Sequence, residues 1–145
     1  MAHKQRNLTE DLKFALEEEH FWGIEKGVGW DYANYWDDVM LVQFFLNQTI
    51  KANLDQDGIY GPKTQKAIRK FQKEHDCLVD GKVDATDGVI WAASNSKGVE
   101  KAYTILQLNA YYRNSYRLYY TDLRMDGKLP PELVSVFSSW TNADS

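Results

Sequence analysis

Asp57-Gly58-Ile59-Tyr60-Gly61-Pro62-Lys63-Thr64, then Ala67-Ile68, Phe71-Gln72 and finally Asp80-Gly81-Lys82-Val83, is the stretch on which the fold turns. An Asp-Gly pair makes a turn, because the carboxylate accepts nearby backbone N–H bonds and the glycine takes positive φ without steric cost. Gly61 admits close backbone approach. Pro62 presets the first position of a helix, where the N–H it lacks would have had no intrahelical partner. Thr64 is placed to bond back to the turn. Ala67, Ile68 and Phe71 follow at helical spacing, with Phe71 filling the centre of a three-helix core and the helix ending near His75. Asp80-Gly81 marks the next turn.

Upstream, Val39, Val42, Leu46 and Ile50 recur at three and four residues, with Phe45 widening the stripe. This predicts a helix from about Asp37 to Lys51, capped by Asp37 or Asp38. Another amphipathic helix is predicted over Leu8 to about Phe21, with Thr9 as N-cap and Glu10 and Asp11 in its first turn. The segment from Gly23 to Tyr32 holds three glycines and reads as a loop surrounded by Trp22, Trp30, Tyr32, Tyr35 and Trp36. Downstream, a short helix is expected from about Ala85 to Ala93. A long one follows from about Val99 to Leu123, with Ile105, Leu108, Tyr112, Tyr116, Tyr119 and Leu123 on one face. Tyr103, Leu106 and Ala110 form a second stripe, which places this helix between neighbours. Asp126-Gly127 is a turn, and Pro130 or Pro131 starts a last helix packed by Leu133, Val134, Phe137 and Trp140. The tail from Thr141 should fray. No convincing strand is seen, so the class is all-α.

The ordered combination around Gly61-Pro62 resembles the peptidoglycan-binding domain family of bacterial cell-wall proteins. That family reads as a helix with a Gln-x-x-Leu-Asn element, then Asp-Gly-x-x-Gly-Pro-x-Thr, a helix with Ala-Val/Ile-x-x-Phe-Gln, and a second Asp-Gly turn. Gln43-Phe44-Phe45-Leu46-Asn47 supplies the opening element in the correct place. The resemblance implies a three-helix module at residues 37–96. Residues 1–36 would pack on it as a helix and an aromatic, glycine-rich loop, and residues 97–145 as a C-terminal helical extension. It also implies a shallow groove between helices that holds the peptide stem of peptidoglycan, with Tyr60, Gly61, Thr64 and Gln72 as candidates for its lining. Asp57, Gly58, Pro62, Ala67, Ile68, Phe71, Asp80 and Gly81 have structural jobs in the motif.

The second box departs from the pattern. Where Gly-Pro-x-Thr is expected, the chain reads Asp84-Ala85-Thr86-Asp87, so a negative charge replaces a permissive glycine. Met125 to Leu133 echoes the first box and is a candidate degenerate second copy.

Composition narrows the function classes. The 145 residues carry a net charge of −4 and a sequence pI near 5.3, without a long basic run, so nucleic acid is not an expected partner. Lys63, Lys66, Arg69, Lys70 and Lys73 cluster at helical spacing, as a solvated face does. Cys77 is the one cysteine, which excludes an intramolecular disulfide. No apolar run approaches membrane-spanning length, and no signal-peptide pattern opens the sequence. Synthesis in the cytoplasm is expected. The cell envelope would be reached by a non-standard route, or the sequence is a mature form.

The sequence carries no complete catalytic or metal-binding motif. Asn53, Asp55, Asp57 and Gly58 mimic the start of an EF-hand loop, but Thr64 stands where calcium needs a bidentate glutamate. His3, His20 and His75 have no zinc-site spacing. His75 and Cys77 at a helix end point in different directions, a poor geometry for activating a nucleophile. Glu17-Glu18-Glu19 reads as a hydrated edge. No cofactor or metal is expected, and the expected role is non-catalytic binding of peptidoglycan or its peptide stem, which could target a partner enzyme to the wall. The alternative is a protein-interaction adaptor or a phage or secretion-system component, with Trp30, Tyr32 and Trp36 as its aromatic surface. A minimal cell-wall hydrolase rests on fold association alone.

Overall fold

The structure, a computed structural model, describes residues 1–6, 18–85, 93–94, 100–101 and 103–144. Its centre is helix α1 (Trp36–Ile50), on which α2 (Pro62–Glu74), α3 (Thr104–Ser115) and α5 (Pro131–Asp144) pack. A short α4 (Arg117–Tyr120) and a 3-10 turn (Leu123–Met125) link α3 to α5. The described residues are mostly helical, as expected, but two small antiparallel pairs mean that the class is not purely all-α. These are β1 (His3–Arg6) with β2 (His20–Gly23), and β3 (Ala93–Ser94) with β4 (Glu100–Lys101).

The sequence stripe on α1 proves too narrow. Every residue from Asp37 to Leu46 is buried, as expected of a helix covered on all sides. Asp37 and Asp38 do not cap it; Tyr35 occupies the N-cap. Instead they hold the N-terminal segment. Asp37 accepts the Ala2 N–H at 2.8 Å, and Asp38 accepts those of Glu25 and Lys26 at 3.1 and 3.0 Å. Burial pushes the Asp38 carboxyl above its usual range, and the two N–H bonds oppose the shift. At its other end α1 stops because Lys51 turns left-handed and its N–H closes onto the Leu46 carbonyl.

Helix α2 follows its sequence reading. Gly61 is the extended N-cap, Pro62 the first helical residue, and His75 closes the helix. Phe71 is fully buried, a contribution of about 1.5–3 kcal/mol for a side chain of this size.

The predicted N-terminal helix over Leu8 to Phe21 is corrected at its end, where His20 to Gly23 forms a strand; residues 7–17 lie outside the described residues. The register runs from His3 against Gly23 to Arg6 against His20. Asn109 of α3 fixes this strand, its amide accepting the Trp22 N–H at 2.8 Å and donating to the Trp22 carbonyl at 3.0 Å. The Trp22 indole donates to the Tyr120 carbonyl, and the Tyr120 hydroxyl to Asn109, both at 2.8 Å. The buried ring thus meets its polar needs internally.

The long helix predicted from Val99 to Leu123 begins only at Thr104, because Glu100–Lys101 pairs as β4, and it is interrupted at Tyr116, which leaves helical geometry at φ −133° and ψ 52°. The break changes which side chains are covered: Tyr112, Tyr120 and Leu123 are buried, and Tyr119 is exposed. Leu106, on the second stripe, is buried as well. For the helix expected at Ala85 to Ala93, residues 86–92 lie outside the described residues and Ala93 belongs to β3. Helix α5 continues through Thr141, past the predicted fraying point.

Candidate functional site

Two buried glutamines organise the module. Gln43 of α1 accepts the Gly58 N–H at 3.0 Å through Oε1. Its Nε2 lies 3.1 Å from Asp57 Oδ1, from the Ile59 carbonyl and from Thr64 Oγ1. Gln72 of α2 does the same one turn later in the chain. Its Oε1 accepts the Asp80 and Gly81 N–H groups at 3.1 and 2.9 Å. Its Nε2 reaches Asp80 Oδ1, the Lys82 carbonyl and Thr104 Oγ1 at 2.9, 2.8 and 3.0 Å.

In each turn the aspartate accepts the N–H two residues on, Ile59 at 3.0 Å and Lys82 at 2.9 Å. In each the glycine is left-handed, with φ of 72° at Gly58 and 71° at Gly81. The Ile59 N–H, assisted by the Gln43 amide, holds the Asp57 carboxyl below the usual carboxylate range. Such a carboxylate is a turn acceptor and a poor general acid.

The hydroxyl partner distinguishes the boxes. Thr64 follows Asp57 directly into α2, but at the same offset from Asp80 the sequence has Asp87, and Thr104 at the start of α3 supplies the hydroxyl instead. The third Asp-Gly turn repeats only part of the pattern. Asp126 accepts the Lys128 N–H at 2.9 Å, but its carboxylate is held by Tyr112 and Gln48, and Gly127 is not left-handed.

The outer sides of the two boxes also differ. Around the first lies an open cleft of about 360 Å³, lined by Leu54, Asp55, Ile59, Gly61, Pro62 and Lys63 over Gln43 and Thr64. Ile59 is 67% exposed at its rim. A Cβ on Gly61 would meet no atom within 4 Å, and its φ of −142° suits any residue. The second box is covered along Lys82 and Val83, while Val79 and Asp80 on its other side stay exposed beside a depression of about 400 Å³ lined by Gln72, Cys77, Leu78 and Val79. Val28 and Val83 exchange both backbone bonds at 2.9 and 2.7 Å, Gly29 presses against Lys82, and the Tyr32 hydroxyl donates to Asp84. That bond pushes the Tyr32 phenol up to about 12.

The predicted lining residues therefore separate. Gly61 and Thr64 line the open cleft, Thr64 buried at its base. Tyr60 does not line it; its hydroxyl donates to the Gly81 carbonyl at 3.2 Å and ties the two boxes together. Gln72 is 1% exposed, with both amide ends engaged inside the second turn. Sequence reasoning missed Leu54, Asp55, Ile59 and Lys63 as lining. The one available signal was Ile59, an apolar residue at a turn that needs none. The aromatic trio separates too. Trp30 and Trp36 are 73% and 50% exposed, whereas the Tyr32 ring packs over Gly27 with Lys82 Nζ 5.0 Å from its centroid. Tyr35 and Trp36 border a depression with Val136 of α5.

His75 lies with its ring between Phe71 and Tyr111, and burial lowers its pKa. Among the described residues no group of three His, Cys, Asp or Glu side chains is arranged to hold a metal ion, and no helix is long and apolar enough to cross a membrane.

Residues 37–86 match the family model described as "Putative peptidoglycan binding domain". The matched span begins with α1 and stops just after the second Asp-Gly turn, where the chain departs from the first box. No curated protein and no solved structure shows a significant match to the chain.

Proposed function

We propose that this chain is a non-catalytic peptidoglycan-binding protein that takes the peptide stem in the cleft beside the first Asp-Gly box, acts in the cell envelope and can bring a partner enzyme there. The observation that carries the reading is that the first box, inside the family-matched span, keeps its full hydrogen-bond clamp and leaves its outer side open. A stem peptide offers small apolar side chains, backbone amides and carboxylates. Leu54, Ile59 and Pro62 supply apolar contact, Gly61 lets a ligand backbone come close, and Lys63 faces a carboxylate.

The test is sedimentation with purified sacculi, comparing wild type with Gly61→Phe. Phenylalanine fits the backbone at this position and fills the cleft. The wild type should pellet and the variant should stay in solution. Equal pelleting of the two removes the cleft from the account, and a wild type that pellets no more than an unrelated protein removes the function.

One observation favours a second reading, an adaptor that binds another protein: the exposure of Trp30, Tyr35 and Trp36. On that reading a Trp30→Ser/Trp36→Ser variant loses a self-association or stable complex seen by light scattering, with sacculus binding unchanged. A strictly monomeric wild type without a partner counts against it.

A further inference from the structure

The open cleft continues past Lys63. Leu54 and Lys63 also line an adjoining groove of about 270 Å³ between α2 and the segment that joins it to α1. Ala67 and Leu54 contribute apolar surface, Lys51, Lys63, Lys66 and Lys70 surround it, and no acidic residue lines it. Lys51 is tethered, donating to the Gln48 carbonyl at 3.2 Å and the Tyr116 hydroxyl at 2.9 Å. Lys63, Lys66 and Lys70 have no carboxylate at ion-pair distance among the described residues.

Two features separate this groove from a merely solvated face. Asp and Glu outnumber Lys and Arg by 21 to 17 in the chain, yet among the described residues no acid lines this groove. The first turn of the helix also runs against its dipole. Lys63 and Lys66 sit toward the positive N-terminal end and no acid occupies the first turn, while the last turn holds both Lys73 and Glu74. Like charges around one groove repel each other and the helix end alike, and a bound anion relieves both.

We propose that this groove receives the carboxylates of the peptidoglycan stem, so that the site reads the charge of its ligand; this rests on the function proposed above. A peptide fits better than a nucleic acid strand. The groove has the volume of a short segment, no aromatic ring lines it for base stacking, and the net charge of −4 repels an extended polyanion.

The test uses muropeptides released from purified sacculi by a muramidase, and the same muropeptides with their carboxyl groups converted to amides. Both are titrated into wild type and into Lys66→Gln/Lys70→Gln. The wild type should bind the carboxylate form about tenfold more tightly, a preference that shrinks with added salt. The variant should lose the preference while binding the amidated form as the wild type does. Equal wild-type affinity for the two forms, or an unchanged preference in the variant, overturns the groove assignment and leaves cleft binding standing. Wild type that binds neither form overturns both proposals. An oligothymidylate bound more tightly than the carboxylate muropeptide, and lost in the same variant, overturns the peptide assignment in favour of a phosphate polyanion.

Discussion

The two Asp-Gly boxes share one clamp and have opposite surroundings. Gln43 and Gln72 each gather a turn, an aspartate, a left-handed glycine and a threonine hydroxyl at the head of the next helix. Only the first leads directly into its helix and is free of cover on the side where the turn enters it. The second reaches its hydroxyl at Thr104 and lies beneath the loop carrying Val28, Gly29 and Tyr32. The clamp is thus shared by both turns, and what lies over the turn is where they differ.

The largest effects should come from the clamps. Replacing Gln72 by Leu strands the buried Gly81 N–H, and replacing Gln43 by Leu strands the buried Gly58 N–H; the Asp80 N–H keeps the Leu78 carbonyl at 3.2 Å. At about 1–3 kcal/mol for an orphaned buried group, each variant should lose about 3 kcal/mol in urea unfolding. A loss confined to one of the two would break the account of a shared clamp.

The glycines should separate the two boxes. A Cβ at Gly58 would meet the Trp36 carbonyl oxygen at 2.6 Å, a backbone atom that cannot step aside. At Gly81 it would meet the side chains of Arg69 and Gln65 at 3.1 Å, which can. Both substitutions carry the left-handed penalty, so Gly58→Ala should lose about 3 kcal/mol and Gly81→Ala about 1. The smallest effect belongs to the cover. Tyr32→Phe should lose about 0.5–1 kcal/mol near neutral pH, because it removes the bond to Asp84. An unfolded tyrosine ionises near pH 10. In the fold the bond to Asp84 holds the phenol at about 12, so its contribution is complete below pH 10 and fades as pH rises to 12. The gap between wild type and Tyr32→Phe should close over that window, and a gap that widens there would remove the bond from the account.

What could be read from the sequence was local chemistry. Asp57-Gly58 and Asp80-Gly81 announce their turns, Gly61-Pro62 a helix start, and Ala67, Ile68 and Phe71 a buried face, because each depends on near neighbours in the chain. Gln72 was legible as a motif residue but not as a buried one, since its burial depends on bonds to a turn and a helix that lie further along. The polar residues Asp37, Asp38 and Gln43 disguised α1 as a one-sided helix; each is satisfied by a backbone or side chain remote in sequence. The strand at His20 to Gly23 was read as a helix end because its identity comes from pairing with His3 to Arg6 and from the Asn109 amide. Likewise, the choice of Tyr120 over Tyr119 for burial rests on a break at Tyr116 that no glycine or proline signals.

The most direct measurement is an amide chemical-shift titration of the labelled wild-type protein with soluble muropeptides. The account predicts perturbations at Gly58, Ile59, Gly61, Lys63 and Thr64, with Gly81, Lys82 and Val83 unmoved beneath their cover. Perturbations centred on the second box, or none at saturating ligand, would contradict it.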